Sequence, residues 1–220
     1  MTTQTTNPGD LVVTAVPHLF DAGVMSHSGH ANLSTRLDAE RFALTTTGMV
    51  RDLRPDQLAT VNLDSEVLEG ALGPENAEIV AMHSVIYRAR PDVGGIIHTH
   101  SPSATAFALA NRELPCRAEP LLRFGQAEPV PVVGWGPRGS DVSVRGIATT
   151  LDEHPTTSAV LLANHGLLAF AADPLAAARL VVATEAAAEA ELAAAVIGGA
   201  VDFPAGALDA VRASMARVQS

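Results

Sequence analysis

The sequence predicts an α/β protein, a mixed or antiparallel sheet covered by helices in one domain. Three observations carry this expectation. The chain has 220 residues, 47% of them hydrophobic, which suits one large domain with a substantial core. Stretches of strand alternation and stretches of helical spacing are mixed along the chain. The first two strands are separated only by a short polar turn, which favours hairpin pairing.

Residues 1–8 read as a flexible tail. "DLVVTAVPHLFDAGVMS" has helical spacing and stops near Gly23, with Pro17 a possible kink. "NLSTRL" and "RFALTTT" alternate around an Asp-Ala-Glu turn and form the hairpin, and "ATVNL" is a further short strand. "PENAEIVAMHSVIYRAR" reads as a helix with proline at its start and acids in its first turn. "GGIIHTH" follows as a strand, then "SPSATAFALAN" as a helix capped by Ser101 with Pro102 at its first position. "PVPVV" is a strand and "SDVSVRGIATTLDE" a helix. "SAVLLANHGLLAF" gives two strands bent at Asn164-His165-Gly166. A long helix runs from the cap Asp173 to Ile197, and a last one covers about 206–218.

Composition narrows the function classes. Net charge is −10, which argues against nucleic acid as a partner, because phosphate binding needs a basic surface. All 14 cationic side chains are arginine. Without lysine there is no Schiff base to a carbonyl substrate or to pyridoxal phosphate, so a carbanion would need another electrophile, and a metal is the obvious one. The single cysteine, Cys116, excludes an intrachain disulfide and a thiolate-rich zinc site. The start, "MTTQTTNPGD", lacks a signal-peptide pattern, and no apolar run of about 18–20 residues exists for a membrane span. A cytoplasmic protein is expected.

Two motifs bear on chemistry. In the strand "GGIIHTH", His98 and His100 point to one face and Thr99 to the other. Two imidazoles on one face look like two ligands of one metal; the plain alternative is a polar strand end with solvated histidines. His165 sits at a sharp turn between apolar strands and makes a third nitrogen donor, leaving a fourth position open for substrate or water. The second motif, "GWGPRG" at 134–139, fits a dinucleotide-binding loop, but three features oppose that reading. Pro137 removes an N–H from the loop, no acid ends the next strand, and only 81 residues follow Gly139. A tight turn leading into a helix is the better explanation.

With these residues in place, the chain resembles the class II aldolase/adducin family. The matching segments are "GHANLSTRL", "LTTTGM", "MHSVIYRARPDVGGIIHTHSPSATA" and "NHGLLAF", in the family's order. The resemblance implies a three-layer α/β/α fold with a nine-stranded, mostly antiparallel sheet. It implies a homotetramer with active sites between subunits and one divalent metal ion per chain, zinc or manganese. The metal histidines correspond to His98, His100 and His165. The acid/base or ligand glutamate corresponds to Glu78, with Glu75 the fallback. Glu78 precedes His83 by five residues, where the family has four, so a small helical irregularity such as a π-bulge is needed to restore it.

Departures from the family pattern bear on substrate. Sugar-phosphate members hold phosphate with a Gly-Asn pair, a Thr-Gly turn and two serines. Here Asn32, Thr47 and Gly48 remain, the glycine is Ala31, and Asn76 and Ala77 stand near the serines' place. The phosphate cradle is therefore degraded, which leaves room for a carboxylate substrate. The only tyrosine, Tyr87, lies inside a helix and is expected in the core. His27 and His30 stand where small residues are usual and are candidate proton carriers. Arg123 is a candidate carboxylate grip. The preferred reading is a metal-dependent carbon–carbon lyase that decarboxylates a hydroxylated aromatic or heteroaromatic carboxylate. The alternatives are aldol cleavage of a hydroxy-ketone or sugar phosphate, and a non-catalytic adducin-like interaction module.

Overall fold

The computed structural model describes residues 8–219. Apart from Pro8, the tail expected at 1–8 lies outside the described residues. The helices are α1 (Pro8–Asp21), α2 (Ala77–Ala89), α3 (Pro102–Leu109), α4 (Glu119–Arg123), α5 (Val142–Glu153), α6 (Pro174–Val196) and α7 (Ala207–Gln219). The strands are β1 (Ala31–Arg36), β2 (Arg41–Thr45), β3 (Leu58–Asn62), β4 (Val67–Glu69), β5 (Gly95–Thr99), β6 (Val132–Val133), β7 (Ala159–Leu162) and β8 (Gly166–Ala171). Among these residues no helix is long and apolar enough to cross a membrane.

One sheet holds all eight strands in the order β4-β3-β2-β1-β5-β8-β7-β6. Only the β6–β7 pairing is parallel. The mostly antiparallel sheet agrees with the expectation, with eight strands among the described residues rather than nine. Alternation along β5 splits the core in two. Ile97 packs with Leu33 and Leu167 under α1, α3 and α6, whereas Ile96 packs with Phe42, Leu168 and Phe170 under α2 and α5. These two apolar layers make the three-layer architecture.

Local details depart from the sequence expectations for identifiable reasons. α1 runs on through Pro17 to Asp21. β4 and α4 were not expected, because three and five residues are too short to show a period. Asp173 caps α6 as expected, its carboxylate accepting from the Ala176 N–H at 2.7 Å. Ser101 does not cap α3; its hydroxyl is buried without a partner. Instead Glu185 of α6 accepts from the Ser103 and Ala104 N–H groups at 2.7 and 2.8 Å. A carboxylate is the stronger acceptor for a helix N-terminus, and it ties the segment just after His100 to the longest helix.

A buried polar ladder joins β1 to α2. Asn32 and Ser34 share one face of β1, and His83 and Tyr87 lie one turn apart on α2. Ser34 Oγ is 2.7 Å from His83 Nδ1 and 2.8 Å from Tyr87 Oη, while His83 Nε2 is 2.7 Å from Asn32 Oδ1. Burial pushes the His83 pKa down from 6.5 to about 3. The folded value lies below the unfolded one, so the unfolded chain takes up this proton first. The stability gained by keeping His83 neutral is complete above about pH 6.5 and is lost as pH falls towards 3. Denaturant melts at pH 7 and pH 4.5 should show a loss on the order of 2 kcal/mol from this group. His83→Gln, which cannot titrate, should show a shallower decline. Parallel declines in the two proteins would remove His83 as the cause.

Candidate metal centre

The register of β5 places His98 opposite Asn32 on β1 and opposite Leu168 on β8. Its Nδ1–H donates to the Leu167 carbonyl at 2.9 Å, so Nε2 keeps its lone pair. The third histidine comes from the tight turn between β7 and β8. Asn164 takes the left-handed conformation there (φ 57°), which asparagine tolerates better than most residues. His165 Nε2 then faces His98 Nε2 at 3.3 Å. Gly166 is required at this point, since a Cβ there would lie 2.6 Å from the Thr99 carbonyl oxygen and 2.8 Å from His100 Cδ2.

One ring nitrogen from each of His98, His100 and His165 lies within 4.8 Å of the others. Two nitrogens bound to one tetrahedral zinc at about 2.0–2.1 Å would stand about 3.3–3.4 Å apart. The His98–His165 separation matches that figure. His100 Nε2 is buried and has no hydrogen-bond partner, a donor atom in want of a ligand. Burial is the main cause that keeps these rings neutral. It holds the His98 pKa well below 6.5, pushes His100 down to about 4, and lowers His165 against an opposing pull from Glu78. Neutral imidazoles offer lone pairs, and a divalent metal ion fits this donor set.

The histidines open into a cleft of about 500 Å³. Glu78 lines it from the first turn of α2, and its Oε2 accepts from the Gly139 N–H at 2.9 Å. The irregularity beside Glu78 is a 3-10 turn, Pro74–Asn76, rather than the π-bulge expected. Glu75 lines an adjoining cavity of about 300 Å³ with Asn32, Thr47, Gly48 and Asn76. His30 borders both cavities, its ring stacked 5.8 Å from that of His100. Gly48 makes room for it, since a Cβ there would lie 2.0 Å from His30 Nε2.

Two expected residues are not brought to the cleft. His27 sits exposed at the tip of a turn closed by the Gly29 N–H to Ser26 carbonyl bond. Arg123 stands one helical turn from Glu119 on α4 and pairs with it at 2.6 Å on the surface. The guanidinium that does line both cavities is Arg138, which donates to the Glu75 carbonyl at 3.0 Å. Trp135 lines the cleft beside it and is 61% exposed. Both belong to the "GWGPRG" loop, which forms a turn before α5 as expected and also walls the cleft. The one hint in the sequence was an arginine and a tryptophan held in a short glycine-rich loop.

Comparison with known proteins places this geometry. The family model for the class II aldolase and adducin N-terminal domain matches residues 10–192. A 5-deoxy-D-ribulose 1-phosphate aldolase from Bacillus thuringiensis serovar kurstaki is 34% identical over 120 residues, covering 54% of this chain and 52% of that enzyme. This chain therefore spans about half the length of that relative. A methylthioribulose-1-phosphate dehydratase from Pseudomonas syringae pv. tomato is 29% identical over 175 residues, covering 73% and 82% of the two chains. Among solved structures, an L-fuculose 1-phosphate aldolase superposes with a TM-score of 0.82 at 24% identity, covering 96% of this chain and 97% of that one. That last likeness concerns the fold.

The donor geometry sets a first expectation. Elemental analysis of the purified protein should find about one divalent ion per chain. His98→Ala should lose it while the far-ultraviolet circular dichroism spectrum is kept. A full complement of metal in the variant would show that the ion is held elsewhere.

Proposed function

The chain belongs to the class II aldolase and adducin family, and from that premise we propose that it is a metal-dependent carbon–carbon lyase. Its substrate in this reading is a small hydroxy-carbonyl compound with an anionic end. The observation that carries the reading is three neutral imidazoles converging beside one carboxylate, next to a cavity that Arg138 enters. A metal bound by His98, His100 and His165 would polarise substrate oxygens and offset the negative charge that develops on cleavage.

The chain's own groups divide the remaining work. Among the described residues Glu78 is the only carboxylate lining the cleft, and the Gly139 N–H holds it in place. It takes the proton from the hydroxyl group whose neighbouring carbon–carbon bond breaks. His30, beside His100, is placed to return a proton to carbon. Arg138 and the Asn32 amide bind the anionic end, with the charged N–H donors of Arg138 standing in for the hydroxyl donors of the missing serines. The names of the relatives favour a phosphate there. A homotetramer with clefts between subunits belongs to this proposal, and the exposure of Trp135 at the rim supports it.

One observation favours decarboxylation as a second reading. Tyr87, the chain's only tyrosine, is buried and bonded to Ser34. Tyr87 is therefore not free to serve a leaving oxygen. Loss of CO2 needs only a proton delivered to carbon, which Glu78 or His30 can supply. The non-catalytic reading has no use for three neutral imidazoles around one point.

The test is product analysis with phosphorylated hydroxy-ketones and hydroxy-carboxylates, scored for aldehyde and for CO2. Glu78→Gln should lower kcat by about 100-fold or more with metal content unchanged. Unchanged turnover would remove Glu78 from the mechanism. Arg138→Met should raise KM for the anionic substrate by about tenfold or more, with a smaller effect on kcat. An effect confined to kcat would place Arg138 at the reacting centre instead.

A further inference from the structure

His83 and Tyr87 are titratable, fully buried, and unused in the chemistry above. With Ser34 they form an unbroken hydrogen-bonded chain that ends at Asn32. Asn32 is only 3% exposed, yet it lines both cavities. Its Oδ1 faces His83 Nε2 at 2.7 Å, and its Nδ2 is buried without any partner.

The chain has a direction that its chemistry sets. Asn32 faces His83 with Oδ1, an acceptor, so neutral His83 donates from Nε2 and accepts from Ser34 at Nδ1, which leaves Ser34 to accept from Tyr87. The Ser34 hydroxyl therefore donates its hydrogen bond to His83 Nδ1. His83 is neutral and must carry its single proton on Nε2, which donates to Asn32 Oδ1. With Oδ1 occupied, only the NH2 group of Asn32 is left for the cleft. Run in reverse, the same chain would present Oδ1, an acceptor. The two directions build sites of opposite preference.

We propose that Tyr87, Ser34 and His83 are positioning residues that fix the Asn32 carboxamide with its N–H donors towards the cleft. The cavity there is thereby set to accept an oxyanion of the substrate, a phosphate or a carboxylate. It disfavours a donor at that point, because a buried amide N–H left unpaired is costly. This inference rests on the cleft being the substrate site.

Nitrogen-15 NMR of the full chain tests it directly. At pH 7 His83 should be the Nε2–H tautomer. The Asn32 side-chain amide signals, assigned with Asn32→Asp, should shift when inorganic phosphate or glycolate is added. The probe that acts at lower concentration identifies the anion class. His83→Leu, which strands Asn32 Oδ1, should weaken binding of that anion by about tenfold. His83→Gln, which keeps an N–H donor, should restore most of it. An Nδ1–H tautomer overturns the proposal, as does an Asn32 amide that responds to neither anion, or equal anion affinity in the Leu variant. If His83→Leu does not fold, the wild-type tautomer and amide shifts decide. A protein with these signals but no metal and no turnover would keep this inference and lose the lyase reading.

Discussion

Pairing of β5 with β1 on one side and β8 on the other is the constraint on which the site depends. The antiparallel register sets Asn32 and Leu168 across from His98. It also brings the Leu167 carbonyl within 2.9 Å of His98 Nδ1 and so selects the ring nitrogen that faces the cleft. A slip of one residue would turn His98 and His100 into the layer under α1 and α6 and put Thr99 in the cleft. Two glycines make the close approaches that this register requires. Gly166 lets the β7–β8 turn meet His100, and Gly48 leaves room for the His30 ring.

Electrostatics follows from that packing. The three histidine rings stand with centroids 4.7 to 5.0 Å apart. Protonated rings at such spacing would repel strongly in a medium poorer than water at screening charge. Burial removes the difficulty by favouring the neutral form, and neutrality is also what metal binding needs. Glu78 and Arg138 act on His165 in opposite senses, the carboxylate raising its pKa and the guanidinium lowering it. The site thus sets one carboxylate and one guanidinium beside three uncharged donors.

The sequence showed most of the sheet and the metal ligands, and the reason is physical. Period-two alternation marks β1 and β2, an apolar run marks β5, and the His98-Thr99-His100 spacing places both imidazoles on one face without knowledge of the partner strands. His165 was legible because Asn164 and Gly166 mark a turn. What escaped depended on contacts far apart in the chain. Glu185 caps α3 from about 80 positions away, so Ser101 looked like the cap. Arg123 and Arg138 are chemically alike, and only the path of the chain separates a surface pair with Glu119 from a cleft residue. His83 carries no local sign that it contacts Asn32, 51 residues earlier.

The cleft therefore has two walls of different character. One is the sheet and α2, where His98, Asn32 and His83 are buried and each is fixed by at least one hydrogen bond. The other is the 134–140 loop, where Trp135 and Arg138 are exposed. Groups that must hold a metal or orient an amide gain from the first wall, because a displacement there disturbs close packing. Groups that recognise the outer part of a substrate can lie on the second, where a changed side chain leaves the core intact. In the proposed reading the exposed Arg138 adds a loop-borne contact to the Asn32 donors of the buried wall, so the two walls share anion recognition. On that reading the buried wall sets the chemistry and the charge preference, and the loop tunes which anionic substrate the cleft accepts.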